Sequence, residues 1–255
     1  MTLANEVRAL WLGRAPYEPV HALQHELHEA RKAGRAPDTV LFVEHEPTIT
    51  LGRGAKAEHL LSSEAALAEA GISVVSTGRG GEVTLHAPGQ LVCYPILDLH
   101  DRMDVRRYVQ DLNRVMMALA ESYGIQSGVI DKYIGLWADL ADPSTWSGVE
   151  SASTPVKLGA IGVRISRWVT MHGFAFNLTT DLSLFRRIIP CGITEFGVGS
   201  VHSLTGQEPS VKSAAERTVP LIERVFGRQL SALETLSVAA LRATLCAPTG
   251  AQLGP

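Results

Sequence analysis

The spacing of apolar residues along the chain predicts several amphipathic helices. In residues 17–34 and 105–124 they recur every three or four positions, the period of one helix face, and each segment ends at a glycine. Pro220 lies inside a further helical segment, and we expect it to kink or break that helix. The further helical segments are predicted at 62–70, 181–188, 210–227, which contains Pro220, and 236–245.

Strands are predicted where β-branched and aromatic residues form continuous or alternating runs. We expect 82–86 and 91–97 to pair with each other, and 156–165 and 169–177 to form a hairpin. Because strands come in such pairs, with helices between groups and no βαβ alternation, the chain predicts an α+β fold with a mostly antiparallel sheet flanked by helices. The other predicted strands lie at 39–45, 72–76 and 130–136, with 48–51 continuing the first beyond a bend.

Length and composition are typical of a globular enzyme. The chain has 255 residues, of which 45% are hydrophobic and 19% charged, and this supports a sizeable buried core. We expect one domain over residues 1–246 and a disordered tail over 247–255. Segment 142–155 is rich in Ser, Thr, Pro and Gly, and this composition predicts a surface loop.

Charge and cysteine content narrow the location and the partners. A net charge of -3 implies no general attraction to nucleic acid or to anionic membranes. The three cysteines are widely spaced, and this argues against a disulfide framework or a metal cluster and favours a reducing compartment. No apolar run approaches ~18 residues, and the first residues lack a signal pattern. We therefore expect a cytoplasmic protein.

Cys191 and Lys157 are the most informative candidates for chemistry. Cys191 stands between Pro190 and Gly192, and this predicts a turn with a reachable thiol. Lys157 begins an apolar strand, where an ammonium is costly without a partner. A nearby ammonium favours the thiolate, so contact between the two would create a nucleophile for acyl transfer. Taken alone, a lone cysteine is more often a small core residue.

A glycine-rich segment, 79–81, precedes Thr84 and His86. Glycines let a ligand approach the backbone, Arg79 can bind a phosphate or a carbonyl, and His86 can move a proton. A plain hairpin turn with an exposed arginine is equally consistent with this stretch. Small residues at 160–162 and 173–175 leave room for an extended apolar chain, although tight strand packing is commoner. His172 precedes a glycine, and a lone histidine in such a position is structural about twice as often as it is catalytic.

Five motifs in the same order make the chain resemble the octanoyltransferases of lipoate biosynthesis, the lipoyl(octanoyl) transferase family. The resemblance runs from about residue 12 to about residue 226. It implies a fold similar to the catalytic domains of biotin and lipoate protein ligases, and no cofactor. The motifs are EHEP with TLGR, RGGEVTLHAPGQL, KLGAIGVR, HGFAFN and PCGI.

By resemblance, the chain transfers an octanoyl group from octanoyl-acyl carrier protein to a lysine of lipoyl domains. The acceptors implied are 2-oxoacid dehydrogenases and the glycine cleavage H protein. Cys191 corresponds to the thioester nucleophile, and Lys157 to the residue that favours its thiolate. The acyl site implied comprises Arg79, Gly80, Gly81, Glu82, Val83, Thr84, Leu85, His86, Ala160, Ile161, Gly162, Gly173, Phe174 and Ala175.

Two departures from the family pattern and several alternatives stay open. Ala87 stands where the family usually has glycine, and segment 142–155 is longer than usual. The base for amide formation is either Lys157 or His86 through a water, and the oxyanion donors are N–H groups around 80–81 or at Cys191. Rival functions are an ATP-dependent lipoate or biotin-type ligase, an amidotransferase between lipoyl domains and a non-catalytic carrier-protein binding module.

Overall fold

Twelve strands in two sheets and six helices make up the described part of the chain, residues 6–246 of the computed structural model. The expected tail, 247–255, lies outside the described residues. The strands are β1 (Arg8–Ala15), β2 (Thr39–His45), β3 (Thr48–Leu51), β4 (Ser73–Ser76), β5 (Val83–His86), β6 (Gln90–Ile96), β7 (Gly128–Ile130), β8 (Tyr133–Asp139), β9 (Pro155–Ser166), β10 (Val169–Asn177), β11 (Gly197–Val198) and β12 (Glu234–Thr235). The helices are α1 (Tyr17–Lys32), α2 (Glu64–Glu69), α3 (Val105–Glu121), α4 (Val201–Thr205), α5 (Val211–Phe226) and α6 (Val238–Cys246).

The large sheet has nine strands in the order β12-β1-β2-β6-β10-β9-β8-β7, with β11 paired to β9. From β2 to β7 every pairing is antiparallel, whereas β12, β1 and β2 run parallel to one another. A small sheet has the order β4-β3-β5. The mostly antiparallel α+β architecture expected from the sequence is therefore confirmed.

Both faces of the large sheet are covered, because alternate side chains of its central strands enter different hydrophobic clusters. In β2, Val40 and Phe42 pack with residues of α3 and α5, whereas Leu41 and Val43 pack with residues of α1. Continuous burial of β2, β6 and β10 follows from this two-sided cover. A third cluster fills the space under the small sheet.

The predicted pairing of 82–86 with 91–97 is wrong. Strand β5 pairs with β3 in the small sheet, whereas β6 lies between β2 and β10 in the large one. The segment between β5 and β6 leads the chain from the small sheet into the large one. Gly89 lies in this segment with φ of +78°, a conformation that glycine adopts without strain. Glu44 fixes this turn by accepting the Gly89 N–H at 2.8 Å.

Other sequence predictions hold only in part. Segment 130–136 is two strands, β7 and β8, because the chain reverses between them. Segment 48–51 starts the small sheet and does not extend β2. Strand β1 was not predicted, and with α1 and β2 it forms one parallel βαβ unit. The 156–165 and 169–177 hairpin is present as β9 and β10.

Helix α5 continues through Pro220 without interruption. Ser210 begins the helix by accepting the Ser213 N–H at 3.2 Å, and Gly227 ends it with φ of +65°. The expected break is therefore absent from this helix. No helix within residues 6–246 is long and apolar enough to cross a membrane.

Replacing Pro220 by Ala should stabilise the protein. Proline offers no N–H to the carbonyl one turn earlier, and Pro220 is exposed, so the change restores a hydrogen bond without disturbing the core. We expect the free energy of unfolding to rise by about 1–3 kcal/mol in urea denaturation. Lys212→Ala, on an exposed position of the same helix, is the matched control and should change it little.

Candidate active site

Cys191 occupies a strained turn, the single helical turn Pro190–Gly192. Its φ and ψ are 54° and 24°, in the left-handed region that a side chain disfavours by about 1–2 kcal/mol. Gly192 follows with φ of +67°. The turn is closed by the Ile193 N–H, which donates to the Pro190 carbonyl at 3.0 Å. The thiol at this turn is half-buried.

Lys157 meets this thiol. Its Nζ donates to Cys191 Sγ at 3.3 Å, and the side chain is only 6% exposed. Strand β11 brings the two together because Val198 pairs with Lys157 in parallel register. The ammonium also lies 5.5 Å from the centre of the Trp137 ring. Gly135 leaves room for it, because a Cβ there would come within 2.6 Å of Lys157 Cε.

Arg79 is a second buried cation at the same place. Its guanidinium donates to the Thr50 carbonyl at 2.7 Å and to the Glu82 carbonyl at 2.8 Å. Within residues 6–246, no carboxylate lies within ion-pair distance of Arg79 or of Lys157. Burial lowers the pKa of Arg79, and Cys191 is among the neighbours that raise it. Both positive charges therefore act on the thiol.

A narrow slot starts at Cys191 and runs between the small sheet and the hairpin of β9 and β10. Gly162 and Gly173 face each other across the hairpin, as do Ala160 and Ala175. Gly162 lets Arg79 approach, because a Cβ there would lie 3.0 Å from Arg79 Cδ. Gly173 instead lets β6 approach closely, since a Cβ would lie 2.2 Å from the Cys93 carbonyl. Small residues here serve both the slot and strand packing.

A chain of hydrogen bonds fixes the tautomer of His86. Asn177 Nδ2 donates to the Gly199 carbonyl at 2.9 Å, so Asn177 Oδ1 must accept from Gln90 Nε2, also at 2.9 Å. Gln90 Oε1 therefore faces His86 Nδ1, 2.8 Å away, and can only accept. The proton of the neutral ring is on Nδ1, which leaves a lone pair on Nε2.

Several uncharged histidines lie in or next to the slot, and their rings contact one another or Tyr17. Burial lowers the pKa of His86 to about 3 and that of His45 to about 4. His172 is buried with φ of +61°, and neither ring nitrogen has a hydrogen-bond partner among the described residues. Burial, then the neighbouring His21, lowers its pKa to about 2. The inner wall is thus polar but neutral at physiological pH.

Comparison with known proteins assigns the chain to a family. The family described as "Lipoyl protein ligase A/B catalytic domain" matches residues 16–222. An octanoyltransferase of Myxococcus xanthus is 46% identical over 204 residues, covering 80% of this chain and 55% of that protein. An octanoyltransferase of Solibacter usitatus is 43% identical over 216 residues, covering 84% of this chain and 90% of that protein. The chain belongs to the octanoyltransferase family.

As a member of that family, the protein is an acyltransferase with a role related to lipoylation. The fold agrees with solved structures. A putative lipoate protein ligase from Thermoplasma acidophilum with bound lipoic acid has a TM-score of 0.66 at 15% identity, covering 94% of both chains. The expected similarity to lipoate ligase catalytic domains is confirmed for the fold.

The residues expected at the acyl site do not all face the slot. Along β5, Thr84 and His86 line it, whereas Val83 and Leu85 point into the cluster under the small sheet, as strand alternation requires. Glu82 faces His59, and Gly80 donates its N–H to Val163 at 2.9 Å. The other expected residues line the slot: Arg79, Gly81, Ala160, Ile161, Gly162, Gly173, Phe174 and Ala175.

Four further residues line the slot without having been singled out for it: Tyr17, Val92, Tyr94 and His172. Tyr94 and Val92 alternate along β6, so the period of that strand was a usable signal once the slot face was known. Tyr17 begins α1 and carried no such signal. The resemblance to the family motif HGFAFN included His172, but its position next to a glycine suggested a structural role.

The two departures from the family pattern have simple structural consequences. Ala87 is buried and does not adopt a positive φ, so the methyl group causes no backbone strain. Segment 142–155 is anchored by Asp139, which accepts the Ser153 N–H at 2.7 Å and the Thr154 N–H at 2.8 Å. Trp146 of this segment packs on the same cluster as Cys191. The loop therefore folds back toward the site.

The neutral histidines predict that stability falls as pH decreases below 6.5. The pKa of histidine in the unfolded chain is about 6.5. Between pH 6.5 and 4 the unfolded chain therefore binds protons that His45, His86 and His172 do not bind in the folded protein, where their pKa values are lowered. Each should contribute a slope of about 1.4 kcal/mol per pH unit. Urea denaturation at several pH values measures this slope. In His86→Gln the slope should be smaller by the contribution of one histidine, about 1.4 kcal/mol per pH unit. In the exposed control His202→Gln the slope should be unchanged.

Proposed function

We propose that this chain transfers an octanoyl group from octanoyl-acyl carrier protein to a lysine of lipoyl domains through a thioester on Cys191. The observation that carries this proposal is the 3.3 Å contact between Lys157 Nζ and Cys191 Sγ. Two buried cations beside one thiol favour the thiolate, which is the attacking form. Family membership supports the octanoyl group as the cargo.

Cys191 lies where two narrow pockets meet, and this suits a transfer between two carriers. One is the slot described above, and the other is bounded by Lys157, Phe185, Pro190 and Val198. The slot, lined in part by the small residues of β9 and β10, is the proposed place of the acyl chain on the sulfur. The second pocket, next to the Lys157 ammonium, is the proposed place of the arm that delivers or receives the acyl carbonyl.

In the first step, the Cys191 thiolate attacks the carrier thioester carbonyl. A new C–S bond forms to Cys191, and the bond to the carrier's phosphopantetheine sulfur breaks. That sulfur leaves as a thiolate and takes up a proton from the Lys157 ammonium, which becomes a neutral amine. One thioester replaces another of similar energy, so the step needs no ATP. The N–H groups of Cys191 and Gly81 donate no hydrogen bond among the described residues, which makes them candidate oxyanion donors.

In the second step, the lysine amine of the lipoyl domain attacks the Cys191 thioester. An amide forms, the thiolate of Cys191 is released, and one amine proton must be removed. Lys157, left as a neutral amine by the first step, takes up this proton and returns to the ammonium form. We assign the base to Lys157. His86 binds a further proton too weakly, at a pKa of about 3, and its Nε2 serves as a hydrogen-bond acceptor.

The same proposal extends to the acceptor proteins, the cellular location and the length of the catalytic domain. The acceptors are lipoyl domains of 2-oxoacid dehydrogenases and the glycine cleavage H protein. Cys93 and Cys191 are both free thiols, which supports a reducing cytoplasm. Residues 1–246 act as one catalytic domain, and the match of the family over 16–222 supports this extent.

Three rival functions make different use of the thiol. An ATP-dependent lipoate or biotin-type ligase activates a free acid as an adenylate and does not need Cys191. An amidotransferase takes its octanoyl group from a lipoyl domain, so the donor separates it from the proposed activity. A non-catalytic carrier-protein module binds without forming a covalent adduct. The close Lys157–Cys191 contact favours a reaction through sulfur over the first and last of these.

Incubation with octanoyl-acyl carrier protein, without ATP, should add one octanoyl group to the protein. Intact-mass and peptide mass spectrometry should locate it on Cys191 and show its loss when a lipoyl domain is added. Cys191→Ser should lose transfer by at least about a hundredfold. The matched control is Cys93→Ser, because Cys93 is buried in β6 and burial raises its pKa well above the usual range. Undiminished transfer by Cys191→Ser would exclude the thioester route.

Replacing Lys157 by Met should make Cys191 less reactive at neutral pH. Removal of the ammonium 3.3 Å away disfavours the thiolate, so the midpoint of iodoacetamide alkylation should move up by about one pH unit or more. Lys132→Ala is the matched control, since this lysine lies over the nearby Tyr133 ring at 4.9 Å from its centre. An alkylation profile that Lys157→Met leaves unchanged would remove Lys157 from the proposed role.

A further inference from the structure

A histidine and a glutamate form a close pair beside the turn of Cys191. His59 Nδ1 lies 2.8 Å from Glu82 Oε2, and His59 is only 9% exposed. His59 ends the helical turn Ala57–His59, and Glu82 directly precedes β5. Neither side chain lines the slot or the second pocket. The reaction steps described above give this pair no role.

The main chain carries His59 to the nucleophile. Residues 59–61 pair in antiparallel fashion with residues 187–189, which lead directly into the Cys191 turn. The His59 carbonyl accepts the Ile189 N–H at 2.9 Å. This short ladder fixes His59 relative to Cys191, two residues beyond Ile189.

The pair packs directly against the residue that follows the nucleophile. A Cβ on Gly192 would lie 2.6 Å from Glu82 Oε2 and 3.0 Å from His59 Cε1. The imidazole and the carboxylate therefore occupy the space that a side chain at this position would need. Any charge on them therefore lies beside the residue that follows Cys191, at a place only partly exposed to water, where it is screened less than in bulk water.

A carboxylate at this place opposes the thiolate of Cys191. Lys157 and Arg79 favour the thiolate, and Glu82 brings the opposite charge to the same turn. His59 is the group placed to cancel that charge. Its other ring nitrogen lies 4.0 Å from Glu58, which also meets Lys56 at 3.7 Å. Both of those side chains are largely exposed, so water screens them.

We propose that His59 is a positioning residue that neutralises Glu82 beside Gly192 and thereby keeps the Cys191 thiolate favoured. The inference rests on the proposed role of Cys191 as the nucleophile. It assigns His59 no contact with substrate. Removing His59 should make the Cys191 thiol less reactive only while Glu82 keeps its charge. A purely structural role of His59 would not depend on the charge of Glu82.

The test is a double-mutant cycle on thiol reactivity. Iodoacetamide alkylation of Cys191 is followed by peptide mass spectrometry against pH in the wild type, His59→Ala, Glu82→Gln and the double variant. In His59→Ala the midpoint should rise by about one pH unit, with about tenfold slower alkylation below it. Glu82→Gln should keep or lower the midpoint. The double variant should return to within about threefold of the wild-type rate.

One control variant and the octanoyl adduct of the wild type separate this proposal from an unspecific effect of losing a histidine and from failure of the proposed function. His202→Ala removes a surface histidine 3.7 Å from Glu208 and should leave the profile unchanged. If His59→Ala alkylates like the wild type, or if the double variant is as slow as His59→Ala, the proposal is overturned. A shifted midpoint without any octanoyl adduct on the wild type would support His59 and reject the thioester mechanism instead.

Discussion

The site depends on keeping two cations out of water beside a single thiol. Burying an ion costs several kcal/mol unless other groups replace its hydration. For Arg79 the replacement is a set of carbonyl and hydroxyl oxygens, mainly from Thr50. For Lys157 it is the face of Trp137 together with the sulfur itself. Much of the local structure, including the room left by Gly135 and Gly162, follows from this requirement.

Much of the fold was predictable because its elements have strong local periods. The helix at α1, the strand at β2 and the hairpin of β9 and β10 were found within a few residues of their true boundaries. Strand partners were harder to predict, because partners depend on where the chain leaves a sheet. The Gly89 turn looks like a hairpin turn in sequence but moves the chain to another sheet. No periodicity reports such a change.

The candidate site shows a similar division. Pattern and resemblance indicated Cys191 and Lys157, and the turn between Pro190 and Gly192 could be anticipated from the conformations those residues favour. The left-handed backbone of Cys191 could not, since cysteine has no preference for it. Nor could the sequence reveal which members of a motif face inward until the direction of β5 was known. Nothing in the sequence around His59 indicated a role, because its contacts are with Glu82 and Gly192, which are distant in the chain.

The segment that carries Cys191 joins the two sheets. On one side residues 187–189 pair with 59–61 and pack on the cluster under the small sheet, and on the other β11 pairs with β9 of the large sheet. Lys157 belongs to the large sheet alone. The contact between ammonium and sulfur therefore lies where the two sheets meet. Any change in the spacing of the two sheets would change the electrostatic surroundings of the thiol directly.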